Sequence, residues 1–342
     1  MRYFIVLLTF LFSTIPAVAQ AADGCDCPTE EVACDGDCGH AHESYAPIGV
    51  MGEHRHKEGD WMVSYRFRYM NMEGNLNGST SVSNQQVLNR YMVTPTEMNM
   101  SGHMVGLMHS PTDDVTIMFM LPYMNKSMKH LTRRGSQFTT ESSGMGDIRA
   151  SALINLWEKG NHKLHFNAGV SIPTGTIDAR DATPMGPNSF LPYPMQLGSG
   201  TFDLMPGMTY TGSTGDWSWG AQALGTIRTG QNKRGYKLGN VGDFSVWGAH
   251  RWNPHVSSSL RLNGTTWGDI SGSDSRLNPN MTPTADPALR AGSRLDALLG
   301  LSGHFGDGHR LAVEGGVPIA QSLDGPQLGT KFVLTAGWQF SF

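Results

Sequence analysis

Charge is scarce in this 342-residue chain, where Asp, Glu, Lys and Arg together make up 16%, against about a quarter in ordinary soluble domains. Long apolar runs are missing as well. After the first 20 residues no stretch approaches the roughly 18 residues a spanning helix needs, which excludes a polytopic helical membrane protein. Cysteine is limited to four residues, too few for a disulfide-dense miniprotein. Basic runs are absent and the net charge is −4, which argues against nucleic acid as a partner. What the chain has in quantity is glycine, 42 residues, and methionine, 20 residues. The glycine share is well above the usual ~7%. A glycine-rich, charge-poor chain without long apolar runs leaves one membrane class open, the β-barrel.

The N-terminus reads as an export signal, residues 1–19. Met1 and Arg2 give a positive start, Tyr3 to Ile15 is almost continuously apolar, and Pro16-Ala17-Val18-Ala19 offers a small-x-small cleavage site. The mature chain is then expected to begin near Gln20 and to work outside the cytoplasm, where disulfides are allowed.

Composition divides the mature chain near residue 60. Residues 20–60 hold all four cysteines and carry ten acidic residues against two basic ones, a net of −8. Residues 61–342 carry 19 acidic and 22 basic residues, a net of +3. The first segment has few apolar residues, so no core is expected of it, and it reads as a periplasmic arm that tethers or plugs the body.

From residue 61 onward the hydrophobic period is two. Trp61, Val63, Tyr65, Phe67 and Tyr69 alternate with Met62, Ser64, Arg66, Arg68 and Met70, giving one apolar and one polar, cationic face. Val115 to Met124, Leu164 to Ile172, Leu295 to Phe305 and Phe332 to Phe342 repeat the pattern, and weaker versions fill the gaps. Some 12 strands result, each about the length that crosses a bilayer when tilted. Their connections alternate. Short turns rich in Gly, Asp, Asn or Pro fall near 110–113, 158–161, 212–215, 253–254 and 306–308. Longer links fall near 73–96, 125–144, 173–200, 228–241, 268–292 and 320–329. An even number of strands with short turns on one side and long loops on the other describes an all-β, antiparallel, up-and-down transmembrane barrel. Both termini then lie on the short-turn, periplasmic side of a Gram-negative outer membrane. A soluble sandwich would not explain an apolar outward face on every strand, or aromatics gathered at strand ends such as Trp61, Trp157, Trp217, Trp252, Trp267 and Trp338.

A family resemblance rests on Ala46-Pro47-Ile48-Gly49-Val50-Met51-Gly52-Glu53-His54, Thr94-Pro95-Thr96-Glu97-Met98, the stretch from Leu191 to Gly200, Leu277-Asn278-Pro279, and Leu323-Asp324-Gly325-Pro326-Gln327-Leu328. With the closing Trp338-Gln339-Phe340-Ser341-Phe342, these make the chain similar to a proteobacterial outer-membrane "transporter" group related to proteins labelled MetA-pathway of phenol degradation. The likeness spans about residues 45–342. It implies a passive pore or uptake channel and names no substrate. The partners expected of such a chain are outer-membrane lipid, the barrel assembly machinery, and a small-molecule or metal-ion solute.

Strand parity supplies candidate lumen residues: Arg66, Arg68, Arg149, Lys163, His165, Arg261, Asp296, Arg310 and Glu314. A mainly cationic lining favours anions or carboxylated solutes, and the competing reading is that these charges pair and brace the barrel. A narrow lumen partly closed by the arm or by the 173–200 loop would suit a small solute.

The second reading is copper or zinc. Cys25, Cys27, Cys34, Cys38, His40 and His42, followed by His54 and His56, gather eight soft or borderline ligands in 32 residues. The spacing matches no standard zinc module, and in an oxidising periplasm two disulfides, in any of three connectivities, are the stronger account of the cysteines. Met62, Met70, Met72, Met118, Met120 and Met124 fall on inward faces and add thioethers to the candidate set. On the strand 97–109 the methionine face, Met98 to Met108, reads as the lipid-facing one. A third reading, an outer-membrane hydrolase, has no Gly-x-Ser-x-Gly elbow to carry it.

Overall fold

The computed structural model describes residues 45–306 and 308–342. Along them run β1 (Trp61–Gly78), β2 (Thr80–Val82), α1 (Asn84–Arg90), β3 (Val93–Thr112), β4 (Val115–Thr132), β5 (Gln137–Met145), β6 (Ile148–Lys159), β7 (His162–Ile172), β8 (Arg180–Thr183) and β9 (Gly186–Phe190). The second half contains β10 (Asp203–Thr214), β11 (Trp217–Arg228), β12 (Tyr236–Lys237), β13 (Val241–Asn253), β14 (Val256–Trp267), β15 (Ser271–Gly272), β16 (Gly292–Phe305) and β17 (His309–Ser341). None of the helices among the described residues is long and apolar enough to cross a membrane.

The main sheet closes on itself, because β17 pairs with both β16 and β1. Eleven elements complete the ring, in the order β1-β3-β4-β6-β7-β10-β11-β13-β14-β16-β17, and each seam between them is antiparallel. An odd ring of straight strands cannot be antiparallel at every seam. The 33-residue β17 resolves this by folding back on itself. Its first part, from His309 to Leu323, pairs with β16, and its second, up to Ser341, pairs with β1. Backbone bonds tie the two parts at the base, where Ser341 N donates to Gly308 O at 3.1 Å. The barrel wall therefore has twelve staves, the number expected from the sequence. Outside the ring, β5 extends the line of β6 beyond a break at Gly146-Asp147, with β4 pairing to both, and β2 pairs with β1.

Polarity is reversed relative to a soluble protein. Phe119, Val246 and Leu299 are more than half exposed on the outer surface, while Ser64, His165 and Glu314 are almost fully buried inside. A bilayer supplies the missing apolar partner for the outer face, and the lumen holds the polar one. At the short-turn end Trp61 stacks on His109 at 4.0 Å and Trp217 lies 4.5 Å from His250, part of an aromatic girdle of the kind found at membrane interfaces. Trp61 and the terminal Phe342 exchange backbone bonds of 2.8 and 2.9 Å, so the C-terminus closes at that same end.

Three expectations need correcting. The stretch 320–329 is not a loose loop but strand, continuing β17 to its reversal. Trp267 ends β14 as expected, but it faces the lumen and not the membrane interface. Finally, the methionine face of β3 points inward. Met100 lies opposite Met70 and Met108 opposite Met62, and paired residues share a face of a sheet. The outward residues of β3 are Val105 and Leu107.

Candidate functional site

Before β1 begins, residues 45–57 run through the lumen and touch the wall on several sides. Ile48 O accepts from Arg66 Nε at 3.1 Å, Met51 O from Gln222 Nε2 at 2.9 Å, and Gly52 O pairs with His165 Nε2 at 2.9 Å. Ala46 O accepts from Arg310, and His56 N donates to Thr116 Oγ1 at 3.0 Å. Ala46, Ile48 and Val50 are buried, with Ala46 and Val50 packed on Trp247. This part of the acidic segment is thus internal to the barrel, contrary to its expected lack of a core. A polar lumen explains why so few apolar residues suffice, because the wall supplies donors for the segment's carbonyls. Two glycines make the passage sterically feasible. Gly52 sits at φ +62, and Gly49 lies so close to Arg261 and Glu314 that a β-carbon would overlap both.

The expected lumen charges fall into two groups. Most brace the interior. Arg261 meets the buried Glu314 through two bonds of 2.8 Å, and Arg294 Nε lies 2.9 Å from Asp296. Arg310 bonds Gln339 and Ser302 at 3.0 Å and stands 3.8 Å from Glu53. Lys163 pairs with Glu158 at 3.0 Å near the short-turn mouth. Arg68 and Arg149 differ. Neither side chain makes a hydrogen bond or salt bridge among the described residues, and both line a central cavity of about 410 Å³.

That cavity has the segment's Ile48, Gly49 and Met51 as one boundary and also meets Met70, Met100, Met104 and Met124. A second cavity of about 590 Å³ lies at the short-turn mouth, where His54, His56, Arg55 and Lys57 meet Trp217 and Trp247. The rings of His54 and His56 stand 4.7 Å apart. The described residues contain no group of three or more His, Cys, Asp and Glu side chains able to hold a metal. Cys25, Cys27, Cys34, Cys38, His40 and His42 lie outside the described residues. All six inward methionines named from the sequence contribute to lumen clusters or cavities, with Met62, Met118 and Met120 in one cluster and Met72 beside another.

The opposite end is covered by long loops. Lys126 Nζ donates to Pro194 O at 2.8 Å and Gln196 O at 2.5 Å, holding the 191–197 stretch over the lumen with Leu191 and Met195 buried against Met98 and Met128. Asp178 binds Arg234 at 2.7 Å, Arg276 at 2.9 Å and Lys233 at 3.1 Å, joining three loops. The bond from Arg234, seconded by those from Arg276 and Lys233, holds the Asp178 carboxyl well below the usual carboxylate range. Burial pushes the neighbouring Tyr236 phenol up to about 12. Sequence reasoning did not find this clamp, because its members are far apart in the chain and lie in loops without periodicity.

Comparison with known proteins agrees with this architecture. An outer membrane channel from Pseudomonas putida F1 is 13% identical and matches with a TM-score of 0.61, covering 86% of this chain and 100% of that one. The beta domain of the Bordetella autotransporter BrkA (12% identical, TM-score 0.43, 83% and 100% covered) and the translocator domain of the autotransporter NalP from Neisseria meningitidis (11%, 0.43, 85% and 91%) are more distant barrels. No curated protein matches the sequence. The family model "Putative MetA-pathway of phenol degradation" matches residues 73–295, well over half of the chain. The chain is therefore a β-barrel of the outer membrane, and it belongs to that family.

Proposed function

We propose that this barrel is a narrow outer-membrane channel for a small, negatively charged solute. The observation that carries the reading is the pair Arg68 and Arg149, which face the central cavity without a salt bridge among the described residues. Most other lumen charges are engaged in bracing contacts. A cation at a polar constriction without a fixed partner attracts an anion and repels small cations. The segment at 45–57 and the loop at 191–197 restrict the path at its two ends, so passage depends on one or both giving way. The Pseudomonas channel of similar fold supports the assignment to this class.

Single-channel recording in a planar bilayer under a salt gradient tests it. The expected result is discrete steps with a reversal potential on the anion side, which moves toward neutral in Arg68→Gln and Arg149→Gln. A barrel that stays silent even after deletion of residues 20–57, or one that prefers cations, would overturn the proposal.

A further inference from the structure

Six consecutive rows of inward residues cross β1, β3 and β4, and each contains methionine. They are Met62–Met108–Met118, Ser64–Gly106–Met120, Arg66–Met104–Pro122, Arg68–Gly102–Met124, Met70–Met100–Lys126 and Met72–Met98–Met128. Of these 18 positions 11 are methionine, and none is Leu, Ile, Val or Phe. The outward positions of the same strands show the opposite choice: Val105, Leu107, Ile117 and Phe119 are there, and no methionine. If apolar filling were the only requirement, leucine would serve inside as well and specify the packing better. A preference confined to one face needs a property that thioether has and an alkyl chain lacks.

That property is soft ligation. Thioether sulfur is a neutral ligand that favours Cu(I), and by the same softness Ag(I), over harder ions. Successive rows stand about 7 Å apart, twice the strand rise, and methionine has three rotatable side-chain bonds with which to close that gap. The sulfurs are densest where the lumen segment crosses. There Met51 joins Met62, Met104, Met108, Met118 and Met120 around Leu153, with Arg66 opposite Met104 and Arg149 opposite Met120 at its edge. At the far end of the file Met195 from the covering loop joins Met98 and Met128.

We propose that the cluster of six thioethers at the lumen segment is a binding site for a soft monovalent cation, and that the methionine rows extend it along the wall toward the loops. The site goes beyond the channel reading and stands without it.

The experiment uses the full mature chain, folded in nanodiscs, with ¹³C in the methionine methyl groups and Ag(I) as the redox-inert probe. Cys25, Cys27, Cys34 and Cys38 are replaced by serine so that thiolates do not take the ion. The expected result is a saturable shift of the Met62, Met108 and Met118 methyl signals at about one equivalent. In the triple variant Met62→Leu, Met108→Leu, Met118→Leu, affinity falls at least tenfold, whereas Met185→Leu, on an exposed loop, changes nothing. Methyl signals that do not move in the cysteine-free chain would overturn the inference, and so would a folded triple variant of unchanged affinity. Because the methyl readout is taken on native methionines, it holds even if the triple variant fails to fold. Anion conductance in potassium chloride is scored separately, so a conducting barrel blind to Ag(I) sinks this inference alone.

Discussion

Gly49 of the lumen segment lies against the Glu314 carboxylate of the wall, with no room between them for a β-carbon. Glu314 in turn holds Arg261 through two bonds of 2.8 Å. The segment is therefore seated on a buried ion pair, and its fit depends on a missing side chain. Gly49→Val should lift the segment from the wall without touching the strands. The expected outcome is a larger or more frequent conductance step with an unchanged β-sheet circular dichroism spectrum, checked by bilayer recording beside the parent chain.

Removing the carboxylate has a different effect. Glu314→Gln leaves the Arg261 guanidinium buried and without a matching charge, and breaking a buried pair in this way costs about 3–5 kcal/mol. Replacing both partners by apolar residues, Arg261→Met with Glu314→Leu, should recover most of that loss. Urea unfolding in lipid vesicles measures both, and equal destabilisation by the single and double variants would contradict the bracing role.

Lys126 is the tie between the barrel wall and the 191–197 stretch, through its bonds to Pro194 O and Gln196 O. Lys126→Ala removes both donors and leaves the carbonyls to water. The loop should then open, with faster proteolysis between residues 180 and 200 and a higher conductance. Limited digestion followed by mass mapping of the cut sites checks the first expectation.

Asp178 sets the acid response of the loop cover. Its pKa is depressed in the folded state by Arg234 first, then by Arg276 and Lys233. A depressed carboxylate contributes stability that is present above its unfolded value and is lost as pH falls through the folded one. The three-loop clamp should therefore hold at neutral pH and still at about pH 5, and loosen only well below the ordinary value of 3.8. Hydrogen exchange in residues 229–240 and 268–291 reads this directly. Asp178→Asn should show the loosened pattern already at neutral pH.

Much of this molecule was legible without coordinates. On β1, β4, β7 and β16 the alternation of apolar and polar residues fixed both the strand and its faces, because a lipid-facing surface and a wet lumen impose opposite demands at a period of two. The turns at Asp113, Gly160, Gly215, Pro254 and Gly306 announced themselves by residue type, and from them the even strand number and the common end of Trp61 and Phe342 followed. The family resemblance agreed with the model match over residues 73–295.

Other features depended on tertiary structure. On β3 methionine alternates with histidine, serine and asparagine, and an apolar face suits lipid as well as a packed lumen. Only the register of Met62 with Met108 and Met70 with Met100 decided it. The segment at 45–57 looks too polar to pack, yet most of it is buried, since its partners are inward polar side chains on six strands, β1, β4, β7, β11, β14 and β17. Which charges brace and which stay open was equally hidden, because Arg261 and Arg68 have the same parity and differ only in what stands across from them. Sequence determined the strands because a membrane reads local alternation, whereas the lumen was decided by contacts between residues that only closure of the barrel brings together.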